Sequence, residues 1–97
     1  MYEIDSDGFL LNREDWDRDF MMDSADRDGL SLTAEHIRYI DAARQMYEEN
    51  GTVPAIRDFA KSFGMDRKAK YLYDLFTSGV MKRIAKYGGL PKPTGCV

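Results

Sequence analysis

One residue in this sequence could do covalent chemistry at sulfur. Cys96 is the only cysteine of the 97 residues, and it stands one position from the end in GLPKPTGCV (89–97). A thiol attacks through its thiolate, which at an ordinary pKa near 8.5 is a few per cent of the population at neutral pH. The adjacent terminal carboxylate is expected to raise that pKa. Lys92, and Lys82, Arg83 and Lys86 if the tail folds back, are expected to lower it. The residues around the thiol are those of an arm. Pro91 and Pro93 forbid helix and bias the chain to an extended path. Gly88-Gly89 reads as a hinge, and Gly95 removes the side chain beside the thiol, so that Cys96 can enter a narrow cleft. An extended chain from Leu90 carries Cys96 about 20 Å. The expectation is a mobile arm over 88–97 on a folded domain over 1–87. The bland alternative is an incidental cysteine on a frayed end; two prolines, a Gly-Gly pair and a lone penultimate thiol together argue against it.

Other residues invite other chemistry. His36 could act as a general base, but no Ser, Cys or Asp spacing makes a triad with it visible, and a packing role is the preferred reading. Glu14, Asp15, Asp17 and Asp19 lack the spacing of a calcium loop and read as a solvated acidic face. One histidine and one cysteine cannot supply the four ligands of a structural zinc, so neither metal nor cofactor is expected. Residues 54–76 have the shape of a helix-turn-helix, with Arg67, Lys68 and Lys70 opening the second helix where phosphates could be met. Helix–Gly–helix corners are common in all-α proteins, so this nucleic-acid reading is the rival.

Net charge is −3, but it is divided unequally. Residues 1–51 hold 5 Lys/Arg against 14 Asp/Glu, a net of −9; residues 52–97 hold 9 against 3, a net of +6. The acidic half would be repelled by DNA, whereas the basic half, which holds Cys96, suits an anionic partner.

The elements that must position the thiol follow from periodicity. Tyr2 and Ile4 alternate with Glu3 and Asp5, Asp7-Gly8 suits a tight turn, and Phe9-Leu10-Leu11 returns, which predicts a β-hairpin over 1–11. Asn12 reads as an N-cap, with Trp16 and Phe20 sharing a face of the helix that follows. The polar run DSADRDG (23–29) is expected to break it. Thr33 caps a second helix with Ile37, Ile40, Ala43 and Tyr47 in its stripe and Gly51 behind it. Thr52-Val53-Pro54 opens a third, with Ile56, Phe59, Ala60 and Phe63 inward and Gly64 ending it. Asp66 is read as capping a fourth, with Ala69, Leu72, Tyr73 and Phe76 inward and Tyr71 more exposed. Val80, Ile84 and Tyr87 make a short fifth helix, stopped by Gly88-Gly89. The fold class is mainly α: a small orthogonal helical bundle with a helix-turn-helix-like core, an N-terminal hairpin and a C-terminal arm.

The length suits one domain with a modest core. No apolar run approaches the roughly 18 residues of a membrane helix. The acidic start MYEIDSDG does not predict a secretory leader, and one cysteine predicts no disulfide framework, so a cytoplasmic protein is expected.

Several stretches together resemble the DsrC/TusE family of sulfur-carrier proteins, which includes the gamma subunit of dissimilatory sulfite reductase. They are DGFL (7–10), Trp16, LTAEH (32–36), VPAIR (53–57), KYLYDLF (70–76) and, most specific, GLPKPTGCV (89–97). The resemblance implies a mobile C-terminal arm whose penultimate cysteine, here Cys96, accepts sulfur as a persulfide. It implies TusD- or DsrE-type donor proteins and an acceptor enzyme as partners, and a carrier rather than a stand-alone catalyst. Members serving sulfite reductase carry a second cysteine eleven positions before the last; here that position is Ala85. This departure favours a TusE-like role, in relay towards tRNA thiolation, or a DsrC-like carrier role in another sulfur-trafficking pathway, over the sulfite-reductase role. The segment TSGVMKRIAKYG (77–88) also departs from the family pattern.

Overall fold

The last helix organises the others. In the computed structural model, which describes residues 2–66 and 69–93, a 3₁₀ turn (Arg13–Asp15) precedes helices α1 (Arg18–Arg27), α2 (Ala34–Asn50), α3 (Ile56–Ser62), α4 (Lys70–Phe76) and α5 (Val80–Tyr87). The α5 sequence VMKRIAKY buries Val80, Met81, Ile84, Ala85 and Tyr87 completely. It packs against α1, α2 and α4. Each large side chain fully removed from water contributes roughly 1.5–3 kcal/mol, so this short helix is held by tertiary burial rather than by its own propensity. Phe20, Met21, Ile40, Phe59, Leu72 and Phe76 complete the centre of the core. No helix among the described residues is long and apolar enough to cross a membrane.

The N-terminal hairpin is a correction. Among the described residues there are no strands, only an isolated antiparallel bridge between Ile4 and Leu10. The cause is Asp5. Its carboxylate accepts the N–H groups of Asp7 and Phe9, both at 2.9 Å, while its carbonyl accepts that of Gly8 at 3.0 Å. A side chain that takes backbone donors in this way competes with a ladder. A capped turn results, with Gly8 at φ +88° and with Phe9 and Leu10 delivered into the core.

Two helix boundaries also move. Asn12 caps only the 3₁₀ turn, through the Glu14 N–H; Asp17 caps α1, through the Phe20 N–H at 2.8 Å. Trp16 therefore lies outside α1 and does not share a helical face with Phe20. The stretch 23–29 does not break the helix: α1 runs to Arg27 because Ser24 and Ala25 face the core. Helix α3 ends at Ser62, with Phe63 as its C-cap, two residues before the Gly64 expected to end it. Asp66 accepts the Ala69 N–H at 3.0 Å, ahead of α4, which begins only at Lys70. Within α4, Tyr73 is exposed like Tyr71, contrary to the inward face expected for it.

His36 is a packing residue. Its Nδ1 accepts the Thr33 N–H at 3.0 Å, closing the start of α2, and its Nε2 lies 2.7 Å from the Leu75 carbonyl of α4. A carbonyl only accepts, so the proton sits on Nε2. The ring also meets Phe76 edge-on, with centroids 5.0 Å apart. His36 is buried, and this bridge fixes α4 on α2. Replacing it strands two backbone groups and opens a void. His36→Ala is expected to lower the unfolding free energy by about 2–3 kcal/mol, read as a lower urea midpoint at unchanged slope.

Candidate functional site: the root of the C-terminal arm

The segment after α5 is built as a helix cap. The Leu90 N–H reaches the Ala85 carbonyl at 2.9 Å, the Gly88 N–H reaches Ile84 at 2.9 Å and the Gly89 N–H points at Lys86 at 3.4 Å. With Gly89 left-handed at φ +69°, these are the bonds of a Schellman motif, and Leu90 is buried beneath it. The bend turns the chain back over the body instead of letting it continue along the helix axis.

The side chain pressing on that bend is Trp16. A Cβ added to Gly89 would come within 2.6 Å of Trp16 Cδ1 and 2.9 Å of its Cβ and Cγ, closer than carbon atoms approach. The indole Nε1–H donates to the Tyr87 carbonyl at 2.8 Å. Arg44, from α2, covers the other side: its Cζ stands 3.5 Å from the Trp16 ring centroid and its Nε donates to the Gly88 carbonyl at 3.0 Å. Burial pushes the Arg44 pKa down, yet an arginine keeps its charge, so the cation–π and carbonyl contacts are charge-assisted. Gly88 and Gly89, read from the sequence as a hinge, are buried beneath these contacts, and the chain reaches open surface at Pro91.

Beyond the cap, Lys92 turns back to the N-terminus. Its ammonium pairs with the Asp7 carboxylate and stands 5.5 Å from the Phe9 ring centroid. The hydrogen bond between them holds the Asp7 carboxyl below its usual range and pushes the Lys92 ammonium up. Pro91 to Pro93 also border a cavity of about 180 Å³ with Tyr47, Gly51, Thr52 and Val53. Thr94, Gly95, Cys96 and Val97 lie outside the described residues, and the expectations for Cys96 and Gly95 with them.

The basic side chains expected to support the thiol are differently engaged. Lys86 lies 2.8 Å from the Asp28 carboxylate and Arg83 3.7 Å from it, and the Tyr87 hydroxyl donates to the same carboxylate at 2.8 Å. Burial pushes the Asp28 carboxyl up, but Lys86 and Tyr87 outweigh it and leave it below its ordinary value. Burial, then the Asp28 carboxylate, push the Tyr87 hydroxyl up to about 12. Lys82 alone of the three is exposed. Of the rival basic cluster, Lys70 is exposed and pairs with Asp74 at 3.7 Å, while Arg67 and Lys68 lie outside the described residues.

Comparison with known proteins places this geometry. The family model for DsrC like protein matches residues 1–97. The chain belongs to the DsrC-like family. The gamma subunit of dissimilatory-type sulfite reductase from Nitratidesulfovibrio vulgaris is 40% identical over 97 residues, covering 99% of this chain and 90% of that protein. The sulfurtransferase TusE of Escherichia coli K12 is 36% identical over 100 residues, covering 98% and 92%. Among solved structures, DsrC from Allochromatium vinosum superimposes with a TM-score of 0.88 at 40% identity, covering 99% of this chain and 90% of that one. The oxidized gamma subunit from Archaeoglobus fulgidus gives 0.83 at 32%, covering 99% and 92%. In this DsrC-like chain Ala85 is fully buried, so its methyl group belongs to the core.

Sequence reasoning named Trp16 without its role, and missed Arg44, Asp28 and the Asp7–Phe9 seat of Lys92. The one available signal was the Gly-Gly pair itself, since adjacent glycines also mark a backbone pressed by a neighbour. Gly89→Ala should cost about 2–4 kcal/mol, combining the left-handed backbone with the collision against Trp16. Gly51→Ala is the control: φ is +74° but nothing lies within 4 Å, and the cost should stay near 1–2 kcal/mol. A second test is pH dependence. The lowered Asp28 contributes stability that is complete above about pH 4 and is lost as pH falls further. The raised Tyr87 contributes stability that is complete below about pH 10 and is lost as pH rises through about 12. Urea melts of Tyr87→Phe should show a smaller alkaline loss than the parent chain, with part of the loss remaining because Asp17 also pushes the Tyr2 hydroxyl up to about 12.

Proposed function

We propose that this chain is a sulfur-relay carrier in which Cys96 holds sulfane sulfur as a persulfide. The observation that supports the reading is the placement of the sole thiol at the penultimate position of GLPKPTGCV, in a chain alignable from end to end with relatives named TusE sulfurtransferase and sulfite reductase subunit gamma. In the loading step the Cys96 thiolate attacks the outer sulfur of a donor persulfide. A new S–S bond forms at Cys96, the donor's S–S bond breaks, and the donor leaves as a thiolate that takes up the proton lost by Cys96. Unloading is the same exchange with an acceptor thiol. The sulfur moves at the same oxidation level, so neither metal nor external oxidant is needed.

The donor is a TusD- or DsrE-type protein, and the acceptor an enzyme that uses the delivered sulfur. Ala85 in place of a second cysteine leaves the chain unable to close an internal disulfide. One thiol suffices for relay but not for two-cysteine redox chemistry, which favours the TusE-like role, towards thiolation of tRNA uridine. A cytoplasmic setting fits a thiol that must stay reduced between turnovers.

Incubation with a persulfide donor is expected to add the mass of one sulfur atom to the intact chain, and dithiothreitol to remove it. Cys96→Ser and truncation after Gly95 should both abolish the adduct while leaving the melting temperature unchanged. Charge removal at Arg67, Lys68 and Lys70 should leave loading by a small-molecule donor nearly unchanged. Absence of labile sulfur on the parent chain would falsify the carrier reading.

A further inference from the structure

We propose that Asp7 and Phe9 are positioning residues for the Cys96 arm: they seat Lys92, and so make Pro93, rather than the Gly-Gly pair, the point from which the thiol-bearing segment departs. The inference rests on the carrier reading and specifies the surface a partner must approach.

The arm's root has little freedom of its own. Pro91 and Pro93 fix their own φ near −65°, and Leu90 and Lys92, each preceding a proline, are confined to extended backbone. Leu90 is anchored in the core. One further contact is enough to set the direction of this stiff segment, and Lys92 supplies it by bridging to the Asp7 carboxylate above the Phe9 ring. The seat is itself rigid. Phe9 is buried, the Asp7 and Phe9 N–H groups are both tied to the Asp5 carboxylate, and Gly8 packs on the Lys86 stem, leaving a β-carbon there only 3.3 Å from Lys86 Cδ. This gives the N-terminal turn a role that two paired strands are not required to fill.

The consequence is a shorter reach. Measured from Leu90, six residue steps span at most about 20 Å; from Pro93, three steps span about 10 Å. Halving the radius shrinks the accessible volume roughly eightfold, which raises the effective concentration of the thiol for a partner docked within that radius. Such a partner must bring its sulfur beside the acidic turn at Asp5 and Asp7 or the Tyr47–Val53 rim. The pair is half exposed, with side-chain accessibilities of 49% for Lys92 and 45% for Asp7, so the seat is modest in strength and sensitive to salt.

The sole cysteine permits a direct test. A nitroxide attached to Cys96 should broaden the amide NMR signals of Gly8, Phe9 and Val53 in the parent chain. In Asp7→Asn that broadening should fall by about two- to threefold, the scale of an exposed ion pair. Lys92→Gln should match it, the double variant should lose no more than either alone, and high salt should reproduce the effect on the parent. Unchanged broadening in Asp7→Asn, or additive losses in the double variant, would overturn the assignment. Labelling needs only the thiol, so this result is independent of persulfide chemistry. Loading by glutathione persulfide separates the two readings. Its rate in Asp7→Asn should stay within about twofold of the parent, because a small donor needs no docking surface. A tenfold fall would place Asp7 at the thiol and overturn positioning. A parent chain that accepts the label but not the sulfur would defeat the carrier reading and leave the positioning assignment to the NMR result.

Discussion

The contact of the Trp16 indole with the backbone of Gly89 holds the two ends of this protein together. It is made where no side chain could stand, because the ring occupies the place of a β-carbon. The indole N–H then meets the last carbonyl-rich turn of α5 at Tyr87, where helix geometry leaves acceptors without partners. Arg44 closes the arrangement from α2 by stacking on the ring and donating to Gly88. Residues 12–18, which follow no long helix, are thereby fastened across α2 and the end of α5. Ion pairs of Arg13 with Glu48 and of Arg18 with Asp41 extend the fastening on either side. Those exposed pairs add little energy individually; the partly buried indole and the glycine cap contribute more.

On the carrier reading proposed above, the body's task is geometric. The central helix α5 is buried on its apolar face against three others, and its C-terminal cap ends in a fixed direction. The positive side chains of α5 serve the fold first: Arg83 and Lys86 converge on Asp28, whose carboxylate also receives the Tyr87 hydroxyl, and this cluster joins the C-terminus of α1 to α5. Charge that the sequence offers as support for a thiolate is in this way largely neutralised within the body. Beside Pro91 to Pro93 the body places the Asp7 carboxylate, which pairs with Lys92, and a rim that includes Tyr47 and Val53.

The sequence by itself determined the helical class and the position of the sole thiol. A single thiol in GLPKPTGCV limits thiol chemistry to Cys96, because the other sulfur-bearing side chains are methionine thioethers, which have no S–H to ionise. The stripes of α2 and α5 were legible because burial follows the 3.6-residue period directly: Ile40, Ala43, Val80, Ile84 and Tyr87 are all in the core. The tertiary structure decided what local rules could not. Whether Tyr2 to Leu11 paired as strands depended on the Asp5 carboxylate outcompeting the ladder. Whether 23–29 broke α1 depended on space in the core for Ser24 and Ala25. Whether Tyr73 faced inward depended on how α4 was rolled by the His36–Leu75 bridge. Gly88-Gly89 was the deepest ambiguity. A glycine pair is equally the signature of a free hinge and of a backbone pressed by a neighbour. Only the arrival of Trp16, more than seventy positions earlier in the chain, made it the second, because a contact between distant segments leaves no periodic trace in either one.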